Sequence, residues 1–372
     1  MIMTKLNKKM MTLSFTILVF VCFCIHCSQS DIELKSISKD FFDIGVAVGD
    51  EYYKDEAIAA IVKKHFASIV PENQMKWENI QPENGHFSFE EMDHLVRFAD
   101  RNELKVFGHT LCWHAQTPAW IFQNEMNATV NAKQLSERMS KHITTIMARY
   151  KGKVHGYDVV NEAINDSSKS SGILRNSPFS RIMGYDFVIN AFKFANKADP
   201  EAELYYNDYN LTDSLKLRRT IKLVKILIDS GCRLDAVGMQ GHWNIYEPSI
   251  ESIENSILLL SQAGVNVMIT ELDLSVFHTD DYRDAYPFSL PDDIVSRQTK
   301  RYEELFTLFA KHSDKISRVT LWSANDRYSW LNHWPVERTN HPVLFDRFNK
   351  PKPAFFAITD VMQKHSINDD QQ

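Results

Sequence analysis

Short apolar, β-branched runs alternate along this chain with longer stretches whose apolar residues recur every third or fourth position. The first pattern is that of strands buried on both faces, and the second is that of helices burying one face. Strands are predicted over 41–48, 68–70, 105–109, 156–161, 203–206, 236–240, 266–270 and 318–321. Helical periodicity falls between them, for instance over 90–102, 133–150, 213–230, 250–263 and 293–312. Eight strands in strict alternation with helices predict an α/β fold, a (β/α)8 TIM barrel in a single domain, rather than an open doubly wound sheet. No glycine-rich phosphate loop follows the first strand, and neither a low-complexity linker nor an internal repeat divides the chain.

Ahead of this pattern, Lys5, Lys8 and Lys9 precede an apolar run over 13–25 and then the polar Ser28-Gln29-Ser30. That is the shape of a secretory signal, too short and too one-sided for an ordinary spanning helix. The expected organisation is a signal peptide over 1–27, a short segment over 28–40, the barrel over 41–363 and a tail over 364–372. The signal is either simply secretory or of the lipoprotein type with Cys27 acylated, although Cys24-Ile25-His26 lacks the small residues such a site prefers. Either way the expected location is extracytoplasmic: secreted, or lipid-anchored at the cell surface or periplasm.

Composition narrows the function classes. A formal net charge of −6 and the lack of a basic stripe give no electrostatic footprint for nucleic acid, so no nucleic-acid partner is expected. Outside the leader only Cys112 and Cys232 remain, which make neither a disulfide framework nor a zinc spacing. No cofactor is implied, and a monomer is the expected state.

Two acids carry the candidate chemistry. Glu162 closes the run Tyr157-Asp158-Val159-Val160-Asn161, and Glu271 closes Val265-Asn266-Val267-Met268-Ile269-Thr270. A barrel strand that ends in an acid presents it at the C-terminal rim, where barrels keep their chemistry. Paired carboxylates without an evident metal site are the equipment of glycoside hydrolysis, one donating a proton and the other acting as nucleophile or base. The plainer alternative is a pair of solvated strand-end glutamates. Other strand ends add Glu72, Asn73 and Lys76, then His109, Trp113 and Gln116, then Tyr209, then Gln240 and His242, and finally Trp322 and Trp330. Sugar hydroxyls need such bidentate polar partners, and the C–H faces of the ring need flat aromatic platforms. A metal is the competing use of His109, His114, His242 and Asp273. His109 and His114 are five apart, not the four that sets two imidazoles on one helical face, and no His-x-His follows the first strand, so no metal is predicted.

These segments include Pro-Glu-Asn-Gln-Met-Lys-Trp-Glu (71–78), Gly-His-Thr-Leu-Cys-Trp-His (108–114), Asp-Val-Val-Asn-Glu-Ala (158–163), Gly-Met-Gln-Gly-His (238–242) and Ile-Thr-Glu-Leu-Asp (269–273). With them the chain resembles the family 10 glycoside hydrolases, retaining endo-β-1,4-xylanases built on a (β/α)8 barrel, over about 41–358. The resemblance implies Glu162 as acid/base and Glu271 as nucleophile, with xylan or xylo-oligosaccharides as partner. It implies Asn161 on the 2-hydroxyl of the −1 sugar, and His242 backed by Asp273 orienting Glu271. It places Asn73, Lys76 and His109 around the −1 and −2 sugars, with Glu72 and Gln116 on outer hydroxyls. Trp113, Trp322 and Trp330 match aromatic walls, Tyr209 an aglycone platform, and Gln240 a further contact. One departure stands out: Trp322 is followed by Ser323-Ala324-Asn325 where the family usually has glycine, which is expected to bear on the −1 pocket. The competing readings are a silent xylan-binding protein, which predicts loss of a carboxylate, and an enzyme acting on β-1,4-glucan, whose extra hydroxymethyl group a Trp330 wall would crowd.

Overall fold

The computed structural model describes residues 32–369. The expected signal peptide, with Cys27, lies outside the described residues. The strands are β1 (Asp43–Val48), β2 (Ser68–Pro71), β3 (Lys105–Gly108), β4 (Cys112–Trp113), β5 (Gly156–Asn161), β6 (Glu203–Asp208), β7 (Ala236–Met239), β8 (His242–Asn244), β9 (Asn266–Ser275) and β10 (Ile316–Leu321). Eight of them form a closed parallel barrel in which β1 pairs with β2 on one side and with β10 on the other, so that Asp43 stands opposite Arg318 and Gly45 opposite Ser68. All eight predicted strands are present. The two-residue β4 and three-residue β8 are additions beyond the barrel wall, pairing with β5 and β9 respectively.

The continuous apolar runs are explained by burial on both faces. Ile44, Val46, Tyr157, Val159, Val267 and Ile269 face outward into the layer between barrel and helices. Ala47, Val70, Phe107, Tyr205, Met268 and Trp322 fill the barrel interior, where the Arg318 guanidinium lies 3.6 Å from the Phe107 ring centre. The predicted helices form as Glu90–Arg101, Ala132–Tyr150, Ser214–Asp229, Ile250–Gln262 and Asp292–Lys311. Three of the five start at side-chain caps: Asn131 and Gln134 make a reciprocal capping box, Asp213 accepts from the amides of Leu215 and Lys216, and Ser249 accepts from the amide of Ser252. Further helices at Glu56–His65, Asp186–Ala198 and Pro353–Asp369 complete the outer ring, the last running past residue 363. No helix among the described residues is long and apolar enough to cross a membrane.

Three register shifts interrupt the sheet, and two of them put an extra residue into the strands of the paired acids. Against β6, β5 carries an extra residue between Asp158 and Val160; against β10, β9 carries one between Ile269 and Leu272. Such bulges twist a strand and re-aim its side chains. Glu271, moreover, does not close its strand. β9 continues to Ser275 because β8 pairs with its far half, putting His242 opposite Asp273. An apolar run shows where burial stops alternating, but pairing by a segment thirty residues away decides where the strand stops.

Candidate active site

The loops and strand ends at the C-terminal rim enclose a cleft of about 750 Å³. Its two acids are held in different ways. Glu271 projects from β9 and is 4 % exposed. Its Oε2 lies 3.1 Å from Nε2 of His242, and its Oε1 accepts a 2.7 Å hydrogen bond from Nδ2 of Asn207. His242 Nδ1 in turn lies 3.0 Å from Oδ2 of Asp273, which also accepts from the indole of Trp330 at 2.8 Å. Both imidazole nitrogens therefore face carboxylates, and a ring protonated on both satisfies both. Burial alone would lower the imidazole value, but the Asp273 and Glu271 carboxylates outweigh it and push it up to about 10. For Glu271, burial acts to raise the value, yet the His242 hydrogen bond, the nearby His109 ring and the Asn207 amide hold it below the usual carboxylate range.

Glu162 sits one residue beyond β5, in the left-handed region at φ 56°. A non-glycine residue held there costs roughly 1–3 kcal/mol and persists only when its surroundings enforce it. Here its amide donates to the Asn207 carbonyl at 2.9 Å, and its carbonyl accepts from Nε of Arg175 at 3.0 Å. Its carboxylate receives neutral donors: Trp113 Nε1 at 2.9 Å, Gln240 Nε2 at 3.0 Å and Asn161 Nδ2 at 3.4 Å. Asn207 links the two halves. Its Nδ2 also reaches Asn161 Oδ1 at 3.1 Å, and its Oδ1 accepts from Thr270 at 2.6 Å. Gly238 is required beside it, because a Cβ there would collide with Asn207 Oδ1.

Around the acids, His109 is fixed by Asp158, Nδ1 to Oδ2 at 2.8 Å, and its ring packs edge-on to Trp322 at 5.3 Å. Lys76 donates to Asn73 Oδ1 at 3.1 Å and lies 5.0 Å from the Trp113 ring. Gln116, itself at φ 43°, donates to Glu78 at 3.0 Å. Tyr209 is braced from behind: its hydroxyl meets Arg175 at 2.6 Å and the Asp166 carboxylate, and Lys216 lies 3.4 Å from the ring centre. Trp322 and Trp330 line the same cleft. Every residue predicted for the site thus lines this one cleft except Asp273, which stands behind His242. Asn207, Asp158 and the exposed Trp334 are the additions. Asn207 lies near the end of β6, where nothing local in the sequence distinguishes an amide that bridges two acids from one that caps a turn. Ser323, Ala324 and Asn325 do not line the cleft. They are buried, with Ser323 Oγ donating to the Asn325 carbonyl at 2.8 Å and Asn325 Oδ1 accepting from the amides of Arg327 and Tyr328, both at 3.1 Å.

Beyond Glu72 and Asn73 the cleft adjoins a second cavity of about 630 Å³ bordered by Asp50, Glu51, Glu78, Glu90 and Glu91. An ideal Cβ on Gly49 would lie 2.6 Å from an oxygen of Glu51 and 3.4 Å from one of Glu72, so the two carboxyls converge. Burial, then the Glu51 charge, push Glu72 up to about 7. Among the described residues, no three His, Cys, Asp or Glu side chains are grouped to hold a metal ion.

A closed parallel barrel whose C-terminal rim holds one charge-stabilised carboxylate, one neutrally hydrogen-bonded carboxylate and a set of tryptophan walls defines a carbohydrate-hydrolysing enzyme of the glycosidase class. The family description "Glycosyl hydrolase family 10" matches residues 33–361, and the chain belongs to that family. It is 40 % identical over 330 residues to the endo-1,4-beta-xylanase B of Paenibacillus barcinonensis, covering 88 % of this chain and 98 % of the relative. It is 39 % identical over 346 residues to a thermostable celloxylanase of Thermoclostridium stercorarium, covering 90 % and 88 %. Among solved structures, xylanase B from Clostridium stercorarium F9 superposes with a TM-score of 0.85 at 39 % identity, covering 88 % of this chain and 99 % of that one. The chain is a glycoside hydrolase.

Proposed function

We propose that the protein is a retaining endo-1,4-β-xylanase in which Glu271 is the nucleophile and Glu162 the acid/base. The observation that carries the assignment is the contrast in partners: an imidazolium and an amide on Glu271, three neutral N–H donors on Glu162. A carboxylate that must attack benefits from being held ionised, which the His242–Asp273 pair does. In the first step an oxygen of Glu271 bonds to the anomeric carbon, the glycosidic C–O bond breaks, and the proton of Glu162 goes to the leaving oxygen. In the second, Glu162 takes a proton from water, the water oxygen bonds to the anomeric carbon, and Glu271 leaves as a carboxylate. Asn161, which donates to Glu162 and is linked to Glu271 through Asn207, holds the 2-hydroxyl in this reading as charge develops on the ring. His242 and Asp273 act as positioning residues. Glu72, Asn73, Lys76, His109 and Gln116 serve the glycone sugars, and Tyr209 serves the aglycone side. Two inversions preserve the β configuration, so proton NMR of the earliest products should show the β-anomer first. Appearance of the α-anomer first would rule the mechanism out.

The celloxylanase named among the relatives gives a second reading, action on β-1,4-glucan. Trp330, pinned to Asp273 by its indole N–H, narrows the pocket against a hydroxymethyl group, so xylan should be cleaved faster. Product chromatography on both polymers decides the ratio. We further propose that the enzyme acts outside the cytoplasm as a monomer, since its substrate is a polymer and residues 1–27 have the pattern of a signal. Labelling cells with a fatty-acid analogue tests the anchor: a lipidated form loses its label in Cys27→Ser, and simple secretion shows none.

A further inference from the structure

A third cavity, of about 310 Å³, lies on the other side of the tryptophan wall, and Trp330, Trp334 and His242 border both it and the cleft. Its size is at the small end of the roughly 300–1,000 Å³ typical of small-molecule sites. Arg338 lines it and is 8 % exposed. The guanidinium lies 4.1 Å from the Phe277 ring centre, Nη1 donates to the Asp281 carbonyl, and Nε has no partner. Among the described residues no carboxylate comes within 4.0 Å of it. The nearest acids are otherwise engaged: Asp281 holds Arg283 through both oxygens, and Asp284 accepts from the Thr339 amide. The one carboxylate lining the cavity, Asp273, is engaged by His242 and Trp330. The charges of Asp281 and Asp284 act on Arg338 only from beyond contact; a buried cation with no carboxylate against it is costly, and a planar guanidinium is shaped to take one. At the mouth stand Trp334 and Tyr282, each 61 % exposed, a pair of flat faces for a sugar ring.

We propose that this cavity is a branch-binding site, in which Arg338 receives the carboxylate of a hexuronate appended to the xylan chain while Trp334 and Tyr282 flank its ring. The inference rests on the xylanase reading and extends it from the backbone to its decoration. The opposite end of the cleft cannot serve a uronate in the same way, because the cavity beyond Glu72 is bordered by carboxylates and would repel one.

The test compares a linear xylo-oligosaccharide with the same backbone carrying one glucuronosyl branch, and with that branch reduced to the neutral alcohol. Wild-type kcat/KM should be higher on the uronate than on its reduced form, a comparison that needs no variant. Arg338→Gln should lose roughly ten-fold or more on the uronate, stay within two-fold on the linear chain, and be partly restored in Arg338→Lys. Equal activity of the wild type on the charged and reduced branches would overturn the proposal, as would an equal loss on all substrates in a variant that melts like wild type. Failure of the xylanase reading is separable: the wild type would then cleave none of the three, while calorimetric binding of charged against reduced branch would still report on Arg338.

Discussion

The rim at the end of β5 and the ledge formed by β8 and β9 present the same functional group in opposite settings. At β5 the chain is strained into a left-handed residue, the carboxylate is partly open to the cleft, and its donors are uncharged. At the ledge the chain stays within a strand, bulged against β10, the carboxylate is buried, and a chain of charge runs from Glu271 through His242 to Asp273. Two identical side chains acquire different chemistry because one is held by neutral N–H donors at a partly open rim and the other, buried, is paired with a cation that favours its ionised form.

The largest effect expected is from removing either acid, and it should also separate them. Glu271→Ala should lower kcat by on the order of 10⁴-fold or more on every substrate, because no other group near it can form the covalent intermediate. Glu162→Ala should lose about 10²–10⁴-fold on xylan yet keep activity on aryl xylosides with good leaving groups, with azide partly rescuing turnover. Steady-state kinetics on both substrate types checks this, and equal loss on both in Glu162→Ala would erase the distinction.

Next in size is the imidazolium. His242→Asn should lower kcat by about 10²-fold, the scale on which a charged hydrogen bond to a reacting group acts. The sign of the pH effect follows from Glu271 being held below its ordinary value: without His242 that value rises, so the acid limb of kcat/KM moves to higher pH. A limb that stayed in place would show that His242 does not control the charge of Glu271. Asn207→Ala should follow with roughly a ten-fold loss, since it removes one neutral hydrogen bond from Glu271 and one from Asn161.

The ledge should also be visible in stability. A histidine whose value is raised from 6.5 to about 10 on folding contributes stability fully present below 6.5 and lost as pH rises through about 10. Melting temperature should therefore fall between neutral pH and pH 10 in the wild type and fall less in His242→Gln. The smallest effect should be at the β5 rim: Trp113→Phe keeps an aromatic wall and removes one neutral donor to Glu162, for a loss of a few-fold in kcat.

Hydrophobic periodicity by itself determined the eight barrel strands and the five helices read from it, because burial on one or two faces is written into local residue order. The two acids, the tryptophans and most of the polar rim were also readable, since each follows an apolar run that must end where the barrel ends. Tertiary structure alone decided the rest. The bulges in β5 and β9, the left-handed turn at Glu162 and the continuation of β9 to Ser275 depend on pairing with strands distant in sequence. Asn207 became a bridge only when β6 was laid between β5 and β7, beside the glycine of β7 that leaves it room. Arg338 shows the limit most plainly: its neighbours in sequence are ordinary, and its burial with Nε unpartnered and no carboxylate against it exists only as a relation among loops that the closed barrel brings together.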